Sequence, residues 1–340
     1  MKKNKKIKCL SLFSGGLDSM LAVKVLQEQD IEVTGICFVS NFFNSKQAEI
    51  SADEIGIDLE IIDISEKILD IVKNPKCGYG KCLNPCIDCH SLMIQEAKKI
   101  LKREKYSFIA TGEVLGQRPF SQNKLSLQKV SSLGGVEILR PLSAKELEET
   151  EFEKKGLVDR KRLLDLSGRR REEHFKLARE YKIKKYPSPS GGCLLTDHEF
   201  SQRVGELLDK YKECNIDDVE LLKYGRIFWL NLDSNWILVA VGRHKEDNER
   251  LEKISKKGDF MIKLNNIVGP TTIARPLEFE LNNLDLDNNK ISIPNEIDIK
   301  KIDFFEKRNN KEILNLICLL TGWYSTKARG KKIDFDFKKI

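Results

Sequence analysis

From Ile7 to about Leu142, short apolar runs alternate with stretches whose apolar residues recur every three or four positions. Ile7–Phe13 is largely apolar and predicts a buried strand. After Ser14-Gly15-Gly16, residues Leu17, Met20, Leu21, Val23 and Leu26 fall at helical spacing. Further strands are predicted at Ile31–Ser40, Leu59–Ile64 and Phe108–Thr111, the last preceded by a helix over Ser91–Arg103. Strands separated by helical stretches imply an α/β fold with a parallel, doubly wound sheet.

The texture then changes twice. About Ser143 to Val204 is polar and helical, broken by Tyr186-Pro187-Ser188-Pro189-Ser190-Gly191-Gly192-Cys193, where prolines and glycines dictate a loop. Beyond Leu221 the runs become strand-like, at Arg226–Leu230, Trp236–Val241, Phe260–Leu264 and Ile291–Ile293. The expected organisation is an α/β domain over 1–145, a basic helical linker with the Cys193 loop over 146–214, and a smaller strand-rich module over 215–340.

Three compositional features sharpen this. No apolar run is long enough to span a bilayer, and the basic start Met1–Lys6 leads into a strand rather than a secretory apolar core, so a cytoplasmic protein is expected. The net charge of +7 is uneven: Arg160–Tyr186 holds eleven Lys and Arg against four Asp and Glu. A local basic segment suits a polyanionic partner. Finally, four of the nine cysteines, Cys77, Cys82, Cys86 and Cys89, fall within thirteen residues. In a cytoplasmic chain that clustering points to metal or sulfur chemistry rather than disulfides.

Ser14-Gly15-Gly16-Leu17-Asp18-Ser19 stands between a predicted strand and helix, where doubly wound sheets bind ligands. Two glycines allow backbone to approach a polyphosphate, and the first helical N–H groups face the anion. Ser14 and Ser19 can donate hydroxyls. Asp18 would repel phosphate, so it suits Mg²⁺ binding or helix capping. The Walker pattern is absent. The hexapeptide resembles the PP-loop of N-type ATP pyrophosphatases, which adenylate a substrate oxygen and release pyrophosphate. That resemblance implies ATP at Ser14–Ser19, the adenine near Phe38 to Asn41, and the adenylate near Thr111-Gly112-Glu113.

The cysteines allow three readings: a structural zinc site on Cys77, Cys82, Cys86 and Cys89; a persulfide and disulfide cycle between Cys89 and Cys193; or a 4Fe-4S cluster on Cys86, Cys89 and Cys193. Asn84-Pro85-Cys86-Ile87-Asp88-Cys89, with Pro189-Ser190-Gly191-Gly192-Cys193-Leu194-Leu195-Thr196-Asp197, resembles the tRNA thiouridine synthases, including 2-thiouridylase and 4-thiouridine synthetase. Cys86 stands where many members have aspartate, as in iron–sulfur-dependent ones. The resemblance implies catalytic roles for Cys86, Cys89, Cys193 and Asp18, a cluster on the three thiols, tRNA as substrate, and sulfide or a cysteine desulfurase as sulfur donor. Cys9 and Cys37 read as inert core. Asp88, His90 and Gln117 are candidates for proton transfer or for capping.

Arg169, Arg170 and Arg171 offer guanidinium groups to RNA phosphates. Val241-Gly242-Arg243-His244-Lys245 through Leu251, then Gly258-Asp259-Phe260 and Gly269-Pro270, resembles the RNA-binding domain of NFACT-type ribosome-associated proteins, implying RNA contacts at Arg243 and Lys245. Trp229, Trp236 and Trp323 read as core. Two other functions fit parts of the pattern: a PP-loop enzyme on a small molecule, as in nitrile formation during deazaguanine synthesis, with local zinc; and an RNA-binding regulator with a degenerate ATP site.

Overall fold

The computed structural model describes residues 6–188, 192–232, 235–277 and 291–340. It divides into two units, 1–198 and 199–340. The segment expected to act as a linker therefore splits, and through His198 it belongs with the first unit. The reason is packing: Val158, Leu163, Ala178 and Ile183 are buried in the same core as the first helix. Polar surface positions had masked a sparse but sufficient apolar set.

The first unit runs β1 (Lys8–Leu12), α1 (Leu17–Gln27), β2 (Glu32–Val39), α2 (Lys46–Ile55), β3 (Leu59–Asp63), α3 (Ser65–Lys73), α4 (Cys86–Glu104), β4 (Phe108–Thr111), α5 (Lys124–Gly134), β5 (Ile138–Leu139), α6 (Glu151–Lys154) and α7 (Glu172–Glu180). Its five strands are all parallel, in the order β3-β2-β1-β4-β5. The two-residue β5 escapes the sequence pattern because Arg140-Pro141 cuts its apolar run short. Strand β4 is buried along its whole length, as a strand covered on both faces must be.

Helix α1 is buried on nearly all sides, from Leu17 through Leu26, rather than along one stripe. It lies between the sheet and the segment carrying α7, with Ala178 and Ile183 in its core. The cysteine helix starts earlier than the Ser91 boundary read from sequence, so Cys86 and Cys89 occupy its first turn. Because β4 follows α4 and runs parallel to β1, the N-terminus of α4 lies at the edge where the strands end. The strand order reverses between β1 and β4, and that switch point is where such sheets leave a crevice.

The second unit contains α8 (His198–Lys210), α9 (Ile216–Leu221), β6 (Arg226–Leu232), β7 (Asn235–Val241), α10 (Lys245–Ile254), β8 (Phe260–Leu264), β9 (Thr272–Pro276), β10 (Ile291–Ser292), β11 (Lys307–Arg308), α11 (Asn310–Trp323), β12 (Lys332–Ile333) and β13 (Phe335–Lys339). Six strands form one sheet, β11-β6-β7-β9-β8-β13, antiparallel except for β11 with β6. Ile313, Ile317 and Leu320 of α11 join the apolar core formed with this sheet.

A charged knot pins the same unit. Arg275, 2% exposed, gives two parallel hydrogen bonds of 2.8 Å to the Asp259 carboxylate and one of 3.2 Å to Asp218. Its remaining reach goes to the carbonyls of Asp217 and Ile254. Trp229 is buried and donates to Glu206, whereas Trp236 and Trp323 are only half-buried. Among the described residues no helix is long and apolar enough to cross a membrane.

Removing one partner from such a knot strands buried charge, so Arg275→Ala is expected to destabilise the second unit by about 3–5 kcal/mol. Urea denaturation followed by the tryptophans, all of which lie in that unit, would read the loss.

Candidate active site at the sheet edge

The glycine loop is shaped by two close approaches. Gly15 has φ +77°, and a Cβ there would lie 2.5 Å from the backbone of Gln47. Its carbonyl accepts from the buried Ser51 hydroxyl at 2.7 Å, which locks the loop onto α2. Gly16 precedes α1 and makes no side-chain cap, while Ser19 donates to the Gly16 carbonyl at 2.7 Å. The first N–H groups of α1 are therefore not consumed by a capping side chain and can serve an anion.

The β4 turn closes the other wall. A Cβ on Gly112 would sit 2.6 Å from the Ser19 backbone nitrogen, so only glycine allows the turn to run this close to α1. Thr111 is buried and donates to Glu113 Oε2 at 3.1 Å. Phe38, expected beside the adenine, is 5% exposed within β2; Ser40 and Asn41 at the strand end are half-buried.

Glu113 was read only as part of that turn, yet it links three elements. One oxygen bonds His90 Nδ1 at 3.0 Å and the other accepts from Arg140 Nε at 3.0 Å. Burial pushes the Glu113 carboxyl up, but Arg140 and His90 outweigh it and hold it at about 2. The pair ties the cysteine helix, the β4 turn and the end of β5 together. A glutamate two residues past a strand-ending threonine was the available signal.

The cysteines divide sharply. Cys9 and Cys37 are buried strand residues, and burial pushes both thiols up, Cys37 to about 11. Asn84 organises the turn before α4: its Oδ1 accepts from the Cys82 N–H at 3.0 Å, and its Nδ2 lies 3.1 Å from Cys86 Sγ. Asp88 accepts from the Cys77 N–H at 2.8 Å. Pro189, Ser190 and Gly191 lie outside the described residues. Beyond them, the Leu194 N–H donates to the Phe42 carbonyl at 2.8 Å, anchoring the Cys193 loop just past β2.

Burial pushes the Cys89 thiol up, and the charges of Cys193 and Cys86 add to it. Burial likewise pushes Cys193 up to about 11, with Cys86 adding and Arg118 opposing. The three thiols are thus electrostatic neighbours. They do not close into a ligand cage: among the described residues no group of three His, Cys, Asp or Glu side chains is disposed to hold a metal ion. That holds alike for Cys86, Cys89 and Cys193 and for Cys77, Cys82, Cys86 and Cys89; as donors, thiols suit either an iron–sulfur cluster or zinc.

The basic candidates also divide. Arg169 and Arg170 are exposed, but Arg171 turns inward and donates to Asp18 Oδ1 at 2.9 Å. His174 approaches the same oxygen at 3.6 Å; burial lowers its pKa and Asp18 only partly restores it. Neither contact was legible in sequence, since α7 is far from the loop along the chain. Arg243 is engaged by Asp247 at 2.6 Å, leaving Lys245 exposed.

Replacing Glu113 by Gln should cost the first unit about 3–5 kcal/mol near neutral pH, because it leaves Arg140 buried without its counter-charge. A carboxylate depressed on folding stabilises above its unfolded pKa of roughly 4.3 and loses that contribution as pH falls through the folded value. Melting curves of wild type and Glu113→Gln are therefore expected to converge as pH drops from there toward about 2.

Residues 5–152 match the family model "Thiamine biosynthesis protein (ThiI)". An uncharacterized protein of Methanocaldococcus jannaschii, MJ1599, is 28% identical over 157 residues, covering 44% of this chain and 51% of that protein. A tRNA-specific 2-thiouridylase MnmA from Sulfurimonas denitrificans is 31% identical over 118 residues, covering 32% of this chain and 35% of the relative. The chain thus spans about half the length of the first and about a third of the second. A solved 4-thiouridine synthetase–RNA complex with bound ATP aligns at a TM-score of 0.34 and 17% identity, over 64% of this chain and 52% of that one. With the glycine loop at the switch point of a five-stranded parallel sheet, the segment 5–152 forms a Rossmann-like α/β domain and is similar to the ThiI family model.

Proposed function

We propose that this chain thiolates a uridine of tRNA at the expense of ATP, releasing AMP and pyrophosphate. The observation that carries the reading is the position of Cys193. A thiol more than a hundred residues from Cys86 and Cys89 sits on a loop hydrogen-bonded just past β2, and its charge is felt at Cys89. An ATP loop and a set of converging thiols at one sheet edge suit a reaction that needs both activation and sulfur.

A ring carbonyl is a poor electrophile, so activation comes first. The glycine loop and the α1 N–H groups would hold the ATP phosphates, and Asp18 would take Mg²⁺. The uridine carbonyl oxygen attacks the α-phosphorus and pyrophosphate leaves. A sulfur nucleophile then adds to the activated carbon, and the C–O bond to AMP breaks. Cys86, Cys89 and Cys193 supply the sulfur path, fed by sulfide or by a cysteine desulfurase. These three thiols would be the ones to hold a 4Fe-4S cluster, which would supply a place for sulfide to bind. His90, oriented by Glu113, stands beside Cys89 to hold or move a proton.

The exposed Arg169, Arg170 and Lys245, with the strand-rich unit, are assigned to the tRNA backbone. The MnmA and ThiI similarities support tRNA thiolation as the reaction class.

Anaerobic assays with tRNA, ATP and sulfide are expected to yield AMP, pyrophosphate and a thiolated nucleoside detectable by mass spectrometry. Cys193→Ser should lose on the order of 100-fold or more in thiolation while retaining pyrophosphate release. Wild-type thiolation by that variant would overturn the reading, and ATP turnover indifferent to tRNA would mark a small-molecule enzyme. Iron analysis of the two proteins separates a cluster from a persulfide route. Arg169→Gln with Arg170→Gln should flatten the salt dependence of tRNA binding by roughly 0.7–0.9 per lost phosphate contact.

A further inference from the structure

Two side chains from the start of α7, its N-cap Arg171 and His174, meet Asp18 in the first turn of α1. Arg171 Nη2 donates to Asp18 Oδ1 at 2.9 Å, and His174 Nε2 lies 3.6 Å from the same oxygen. Both are more deeply placed than a tether requires. The His174 residue is 1% exposed, and neither ring nitrogen has a hydrogen-bond partner; Arg171 Nε is also buried and unpartnered. Leaving such a group unpaired costs about 1–3 kcal/mol, more when it is charged. A guanidinium N–H and an imidazole with neither nitrogen paired, gathered at the glycine loop, point to a partner that the folded chain does not itself provide.

The charge pattern identifies that partner. Arg171 brings a forked cation and His174 one N–H, beside the open N-terminus of α1. Arg169 and Arg170 face solvent, whereas the Arg171 side chain is only 20% exposed. An RNA backbone on the surface suits the outer two; the inner one suits a compact polyphosphate. The first turn of α7 also carries Glu172 and Glu173, but both are exposed.

We propose that Arg171 and His174 complete the pyrophosphate side of the ATP site. This rests on the ATP-dependent reading above and extends the nucleotide site beyond the 5–152 segment. Arg171 forks the β- and γ-phosphate oxygens, a geometry for which guanidinium is suited. His174 donates its N–H to the same group. Asp18 is shared: its carboxylate orients Arg171 and remains able to bind a divalent cation. Charge that accumulates on pyrophosphate as the α-phosphorus is attacked then falls on a guanidinium already aimed at it.

Calorimetric titration of magnesium pyrophosphate, and separately of AMP, into the full-length chain tests this without turnover. Arg171→Gln is expected to bind pyrophosphate at least about 10-fold more weakly, as for loss of a charged hydrogen bond, with AMP affinity unchanged. Arg171→Lys, which keeps the charge but not the fork, should fall between the two and serves if the glutamine variant does not fold. Equal pyrophosphate affinity in wild type and either variant would overturn the proposal and reduce Arg171 to a tie between α7 and α1. A wild-type chain that binds neither ATP nor pyrophosphate would instead overturn the ATP reading beneath it.

Discussion

The backbone of the β4 turn lies against the first turn of α1 so closely that a single methyl group at Gly112 would collide with Ser19. This contact sets the width of the crevice between β1 and β4, where the sheet changes direction. Gly15 does the same on the other side, pressed against Gln47. Backbone, rather than side chains, thus forms both walls of the glycine-loop crevice. That leaves the helix N–H groups as the floor and keeps bulky atoms out of the crevice.

Buried charge does the joining at longer range. Glu113 connects the β4 turn to the cysteine helix through His90 and to β5 through Arg140. Ion pairs of this kind add little net stability over apolar packing, but they impose one geometry, since a shifted partner leaves a stranded charge. The PP-loop wall and the first turn of α4 are consequently held in fixed register. Arg275 with Asp259 and Asp218 plays a comparable part in the strand-rich unit.

Several residues of the glycine-containing motif in the strand-rich unit serve as structural ties. Arg243 and Gly225 both donate to Asp247, and Asp259 of the Gly258-Asp259 pair receives Arg275. Gly242 leaves room for Asn248, whose side chain bonds Thr271 and Gly269. A short motif can therefore mark a turn that must fold in one way, while residues beside it, such as Lys245, stay exposed.

The parallel α/β sheet, the glycine loop and the separate strand-rich region were legible along the chain because each depends on local periodicity or on glycine at a turn. Cys86 and Cys89 were legible for the same reason, sharing one helical turn. Cys193 could be linked to them only by resemblance, since the Phe42 hydrogen bond that seats it joins residues far apart in sequence. Arg171 illustrates the limit most clearly. Its neighbours Arg169 and Arg170 have the same chemistry and face solvent, and sequence cannot say which of three adjacent arginines turns inward. Packing of Ala178 and Ile183 into the α1 core fixes the rotation of α7, and that rotation alone aims Arg171 and His174 at Asp18.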